Sequence, residues 1–262
     1  MNAWPTDWLP VAIGVVAFLY AAVGHAGATG YIAVMTLAGS AAATVRPTAL
    51  ALNVIVAAIA TVQFTRAGHL RGGLLLPLAL ASTPAAFVGG GLSLPMRAFE
   101  GLLGAILAFS AFRQLAEARR GEVPGPASAL PPVARSPSWP ALLALGALVG
   151  LLAGLTGVGG GVFLTPALLA LRMAPLKTVA AVTAPFILVN SLAGLAGRAV
   201  SSGIGLEGVS RPILLAAVVG GLLGSQAGAF QLPVRSLRTL LAVVLTIASV
   251  KLLAAGLIPT AG

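Results

Sequence analysis

The sequence predicts an all-α integral membrane protein built as two inverted repeats of transmembrane helices, each opening with a helix broken or folded back at a glycine-rich stretch. Three observations carry this. Apolar residues make up 58% of the 262 positions and charged residues only 8%, against about 25% charged in soluble domains. The apolar residues gather in long runs separated by basic turns. The two halves of the chain carry the same landmarks in the same order.

The elements follow in turn. The start, MNAWPTDWLP, has no basic stretch and carries Asp7, so it does not read as a cleaved signal peptide. Trp4 and Trp8 suit the headgroup belt. Apolar runs then cover 8–23, 30–43, 47–65, 72–92 and 97–114. The long polar stretch 115–138, rich in Pro, Ala, Ser and Arg, reads as a flexible linker outside the bilayer. Five more runs follow at 139–156, 162–171, 175–197, 209–230 and 236–257. The expected organisation is a first transmembrane repeat at 1–114, a cytoplasmic linker at 115–138 and a second repeat at 139–262.

The repeat rests on three kinds of landmark. Trp8 aligns with Trp139; Gly24, Gly27 and Gly30 align with Gly154, Gly157 and Gly160; and LPMRAFEGLL aligns with LPVRSLRTLL. Repeated halves are a transporter signature, although some channels share it. Residues 8–43 as one helix would be about 54 Å long at about 1.5 Å per residue, too long for a hydrocarbon core of about 30 Å. The segment must fold back, and the glycine cluster is the place. Three crossings then follow in each half, which makes the repeat odd-numbered and inverted. Charge agrees with this. In the inverted layout Arg46, Arg97, Arg198, Arg211 and Lys251 fall on one side and the other ten Lys and Arg residues on the other. A layout in which the opening segments cross once gives nine against six. The positive-inside rule favours the first, with the linker in the cytoplasm and both termini outside.

The glycines then acquire a chemical meaning. Non-helical backbone cannot face lipid, because unpaired N–H and C=O groups cost several kcal/mol there. HAGATG and TGVGGG, at 25–30 and 156–161, therefore predict two breaks that line a cavity, with non-helical backbone over 24–30 and 154–161. The competing reading is close helix packing of the small-xxx-small kind. A helix restarting after a break points free N–H groups and its positive dipole end at the break, which suits an anion. No Lys or Arg falls at either break, so an anion's charge is expected to be met by helix N-termini and neutral donors. The candidate substrate-binding residues are Gly27, Thr29, Gly30, Asn53, Thr156, Gly159, Gly160, Gly161, Thr183 and Asn190. Asn53 aligns with Thr183, and Asn190 lies seven residues further on the same helical face. Ser191 and Thr165 read as structural hydroxyls bonded to their own helix. His25 is the ionisable group at a break and the candidate for proton coupling, its alternative being a neutral hydrogen-bonding role.

Several classes are disfavoured. The absence of Cys rules out disulfides and thiolate metal sites, and two His residues are too few for an ordinary His-based zinc centre. No cofactor or metal is expected. No Asp or Glu lies deep in an apolar run, which argues against a carboxylate relay or a cation pathway. The excess of Lys and Arg reads as topology signalling, not nucleic-acid binding. An enzyme would need a nucleophile and base in reach; Ser191 and His25 could be proposed, but no flanking motif supports them. The partners expected are a small anion, a coupled proton and membrane lipid.

The stretch GLTGVGGGVFLTPALL, residues 154–169, resembles the glycine-rich signature of the TauE/SafE family, the toluene sulfonate uptake permeases, and the resemblance extends over essentially the whole chain. In the first half, GHAGATGYIAVMTL departs from it at Ala28, Thr29 and Tyr31, and Thr36 stands where the second half has Pro166. The resemblance implies a secondary transporter of the bacterial inner membrane, moving sulfite, sulfonates or related sulfur anions by alternating access. The alternative is an anion channel with a pore lined by the two breaks.

Overall fold

The computed structural model describes residues 8–40, 42–92, 138–202 and 209–233, with scattered helical positions at 108, 112 and between 236 and 250. The linker expected at 115–138 lies outside these residues save for Ser138. The described helices are α1 (Leu9–Ala22), α2 (Ala28–Leu37), α3 (Ala42–Arg66), α4 (Gly72–Gly91), α5 (Trp139–Thr156), α6 (Gly161–Ala170), α7 (Leu176–Ser202) and α8 (Arg211–Gln226), the last running into a π-turn at Ala227–Gln231. No strand occurs among the described residues. Five of the helices are long and apolar enough to cross a membrane, so the chain is an all-α, multi-spanning membrane protein. Val11, Val15, Leu80, Leu148, Leu215 and Val219 stand exposed on its outer surface, where lipid is the matching solvent.

α1, α2 and α6 are too short to span. Ten residues, the length of α2 and of α6, rise only about 15 Å. α2 turns back along α1, since a Cβ on Gly30 would meet the Tyr20 ring at 3.2 Å, ten residues earlier in the chain. The Tyr20 hydroxyl and Thr29 Oγ1 lie 2.7 Å apart across the same turn. α5 and α6 are related in the same way, with Gly160 folded against Ala153 and Val149.

The helical breaks are narrower than the sequence predicts. Backbone is non-helical at 23–27 and 157–160, while Gly30, Gly154 and Gly161 sit inside helices. The glycines divide by conformation. Gly27, Gly157, Gly159 and Gly160 have φ of +102°, +70°, +76° and +86°, the left-handed region in which a side chain is disfavoured. Gly154 is helical and serves packing instead. Together with Gly146 and Gly150 it lets α5 approach the carbonyls of Leu78, Ser82 and Ala86 on α4. Gly220, Gly224 and Gly228 do the same against Gly14, Phe18 and Ala22 of α1. Spacing by four keeps each set on one helix face. Both readings of glycine hold, each at its own positions.

α3 and α7 pack along one another at the centre, antiparallel. Ala60 and Phe64 cluster with Ala180, Ala181 and Ala184. Further along, Asn53 and Ser191 both face Gly159, and Leu50 reaches Gly194. The other extensive contacts pair α4 with α5, α1 with α8, α4 with α7 and α3 with α8.

Candidate functional site

The second break is built by its own backbone. α5 ends on Gly157 in the left-handed conformation, and its N–H bonds to the Ala153 carbonyl. The Val158 N–H donates to Thr156 Oγ1 at 3.2 Å, so Thr156 fixes the turn from within. Gly160 then caps α6, where a glycine supplies no side-chain acceptor and the first amides have no partner in their own helix.

The first break meets the second. His25 is buried, with Nε2 3.1 Å from the Gly161 carbonyl oxygen and Nδ1 3.2 Å from that of Val23. Both partners are acceptors. A neutral imidazole has one N–H and an imidazolium two. Residues at and beside both breaks line one small cavity: Tyr20, His25, Gly27 and Thr29 around the first, Val158, Gly161 and Val162 around the second, and Ile187 from α7. Its volume is about 10 Å³, room for about one water molecule.

Around this cavity lie polar atoms whose bonding capacity is unused. Asn53 Nδ2 donates to the Val158 carbonyl at 3.2 Å, which orients the amide and leaves Oδ1 buried without a partner. Ser191 Oγ is likewise buried and unpartnered. A Cβ built on Gly159 would stand 2.7 Å from Ser191 Oγ and 2.8 Å from Asn53 Nδ2, so the two side chains converge on that turn. At the first break the Tyr31 hydroxyl, also buried and unpartnered, stands against Gly27. Unsatisfied buried polar groups are costly and rare; two stand at the Gly159 turn and one at Gly27.

Not every candidate from the sequence reaches the cavity with its polar atoms. Thr183 turns its methyl toward Gly161, and its hydroxyl lies 3.1 Å from that of Thr165. Asn190 points to α4. Its Nδ2 donates to Ser82 Oγ at 3.0 Å and to the Phe186 carbonyl at 2.7 Å, leaving only Oδ1 unpartnered. Thr29 is tied to Tyr20, and Gly30 serves as the seat of the α1–α2 turn. Ser191, read from sequence as structural, makes no bond to its own helix and faces the break. Sequence order gave no sign of this, because Ser191 adjoins Asn190 and a helix sends neighbours to different faces.

No basic residue lies near either break along the chain, yet the fold brings Arg46 onto the second break, its Cβ 3.6 Å from the position a Gly157 Cβ would take. The signal was available, since Arg46 and Asn53 lie seven residues apart on one helix face. The described residues include no Asp or Glu, and no group of His, Cys, Asp or Glu among them is placed to hold a metal. His69 stands apart in the α3–α4 turn, where burial and the Lys177 charge lower its imidazole pKa.

Comparison with known proteins gives a consistent picture. The sequence pattern of the family described as Sulfite exporter TauE/SafE matches residues 9–252. A protein of Sinorhizobium fredii (strain NBRC 101917 / NGR234), described as "Probable membrane transporter protein y4hK", is 39% identical over 245 residues, covering 94% of this chain and 97% of that protein. No solved structure matches the chain.

Proposed function

The chain belongs to the TauE/SafE family, multi-pass transporters of the bacterial inner membrane and not enzymes, and from that premise we propose that it is a secondary transporter of small sulfur-containing oxyanions such as sulfite or a sulfonate. The observation that carries the site is the meeting of the two breaks. Two buried hydroxyls without partners, Ser191 Oγ at Gly159 and Tyr31 OH at Gly27, and the second Nδ2 hydrogen of Asn53 stand at a seam that the N-terminus of α6 faces, and no carboxylate of the described residues intervenes. Helix-terminal amides and hydroxyls donate to an anion. Gly27, Gly159, Gly160 and Gly161 give the backbone its close approach. Thr156 holds the turn, Thr29 and Gly30 hold the α1–α2 reversal, and Thr183 and Asn190 tie α7 to Thr165 of α6 and Ser82 of α4.

Cavity size and the matching halves support alternating access as the transport mode. A cavity of about 10 Å³ admits no sulfonate, so the α1–α2 and α5–α6 hairpins must part to load one. This favours alternating access over an open anion channel. Two inverted repeats supply the means. Under the alignment of Asn53 with Thr183, α3 and α7 are equivalent helices, and their antiparallel packing is what a two-fold axis in the membrane plane requires. The exchange also relates the α1–α8 contact to the α5–α4 contact. The repeats are then 1–114 and 139–262, joined by a cytoplasmic linker at 115–138.

His25 is the coupling group in this reading. The second proton converts its remaining N···O contact into a hydrogen bond and ties the first break to Gly161 of the second.

The deciding experiment reconstitutes the purified protein in liposomes and screens sulfite, thiosulfate, taurine, sulfoacetate and an aryl sulfonate for binding and flux. Saturable flux of at least one of them is expected. Single-channel currents with no saturation would replace the transporter by the channel, and no binding of any would remove the sulfur-anion assignment.

A further inference from the structure

A buried cluster at the end of α3 stands apart from the main core. It sets one large side chain, Phe64, among Ala60, Ala180, Ala181, Ala184 and Ala229, which come from α3, α7 and the π-turn after α8. On one side the cluster meets the first break. A Cβ on Gly24 would collide with Ala180, and one on Gly228, next to Ala229, with the Ala22 carbonyl. On the other side Ala67 and Leu70 of the α3–α4 turn pack against it. Arg66 and Arg71 at the two ends of that turn are exposed, which places the turn at the membrane surface. The cluster therefore stands between the first break and the water on that side.

The turn itself is lightly held. Gly68 has a φ of +73°, and a Cβ on Gly68, Gly72 or Gly73 would meet no described atom within 4 Å. A polar contact ties the turn down: the His69 imidazole donates to the Ala229 carbonyl. That carbonyl is available because the residue four positions on is Pro233, which has no N–H to close the helical bond. Lys177 of α7 lies beside the same ring. His69 thus joins the α3–α4 turn to the end of α8, next to the start of α7.

We propose that the α3–α4 turn is a gate over the first break, with Phe64 as its plug and the His69–Ala229 hydrogen bond as its latch. The proposal rests on the alternating-access reading above and names the element that seals one face. Alanines present no long side chain to interlock, which suits a small sliding of packed helices. Opening breaks the latch, withdraws Phe64 from the alanines of α7 and bares the first break to water.

Thiol labelling tests this, because the chain contains no cysteine. Ala184→Cys places a thiol in the cluster, and Ala217→Cys places one in the main core as a control; both alanines are fully buried. A membrane-impermeant methanethiosulfonate is applied to vesicles from each side in turn. Labelling at Ala184→Cys is expected to be slow, and to quicken about tenfold when Phe64→Ala or His69→Ala is added, since the rate reads the open population. The gain comes from the side of the α3–α4 turn alone. His69→Gln, which keeps an N–H donor, restores slow labelling. Unchanged labelling in both variants overturns the gate. Equal quickening at Ala217→Cys, or from both sides, overturns it as well, because it marks general loosening. If Phe64→Ala fails to fold, His69→Ala and His69→Gln decide by the same outcomes. Labelling uses no substrate, so its result stands apart from that of the flux screen.

Discussion

His25 Nε2 lies 3.1 Å from the carbonyl oxygen of Gly161, a side chain of the first break held against the backbone of the second across 136 positions of sequence. Nδ1 of the same ring faces the Val23 carbonyl at 3.2 Å. The ring satisfies both acceptors only with two protons. His25→Ala is therefore expected to keep substrate exchange at equal pH and to lose accumulation driven by a proton gradient. Flux in liposomes with and without an imposed gradient measures both. Gradient-driven accumulation at the wild-type level removes His25 from the coupling.

Gly160 combines a φ of +86° with a neighbouring Phe186 ring carbon 2.9 Å from where a Cβ would stand. The left-handed conformation alone costs a side chain about 1–2 kcal/mol. Gly160→Leu is expected to abolish sulfite binding while the protein still inserts and elutes as a single species, and Gly160→Ala to weaken binding partially. Calorimetric binding on the purified variants decides this. Normal binding by Gly160→Leu would falsify the site.

The packing glycines make the opposite prediction. A Cβ on Gly150 would run into the Ser82 backbone on α4. Gly150→Val is expected to lower thermal stability, overpacking being worth about 1–3 kcal/mol, with affinity in the folded fraction unchanged. Melting curves and binding isotherms on the same preparation separate the two effects.

Ser191 and Asn190 adjoin in sequence and should separate in phenotype. Ser191 Oγ is unpartnered at Gly159, whereas Asn190 ties α7 to Ser82 of α4. Ser191→Ala is expected to weaken anion binding about tenfold, the equivalent of about 1.4 kcal/mol, with little change in melting temperature. Asn190→Ala leaves Ser82 without its donor and costs stability, on the order of 1–3 kcal/mol. The reverse pattern would return Asn190 to the substrate and Ser191 to the scaffold.

Topology is open to direct labelling, because the chain contains no cysteine. Single cysteines at Ser128 in the linker and at Ala261 near the C-terminus are expected to react from opposite sides of the membrane. Reaction of both from one side contradicts the inverted layout.

The sequence by itself determined the solvent and the helical class, and that the helix could not run on through 157–161. Those are local properties: a run such as 72–92 must lie in lipid wherever it ends up, and four glycines within 157–161 cannot continue a helix. The tertiary structure decided which glycine does what and which polar side chain faces the breaks. Gly154 and Gly160 look alike in sequence, yet one lets α5 touch α4 and the other caps α6. The α3–α7 register turns the Ser191 hydroxyl toward Gly159 and leaves Asn190 bonded to Ser82 of α4. Arg46 lies 111 positions from Gly157 in the chain and touches it in space. Helix register and crossing depend on how whole faces interlock, and no single stretch of sequence contains that information.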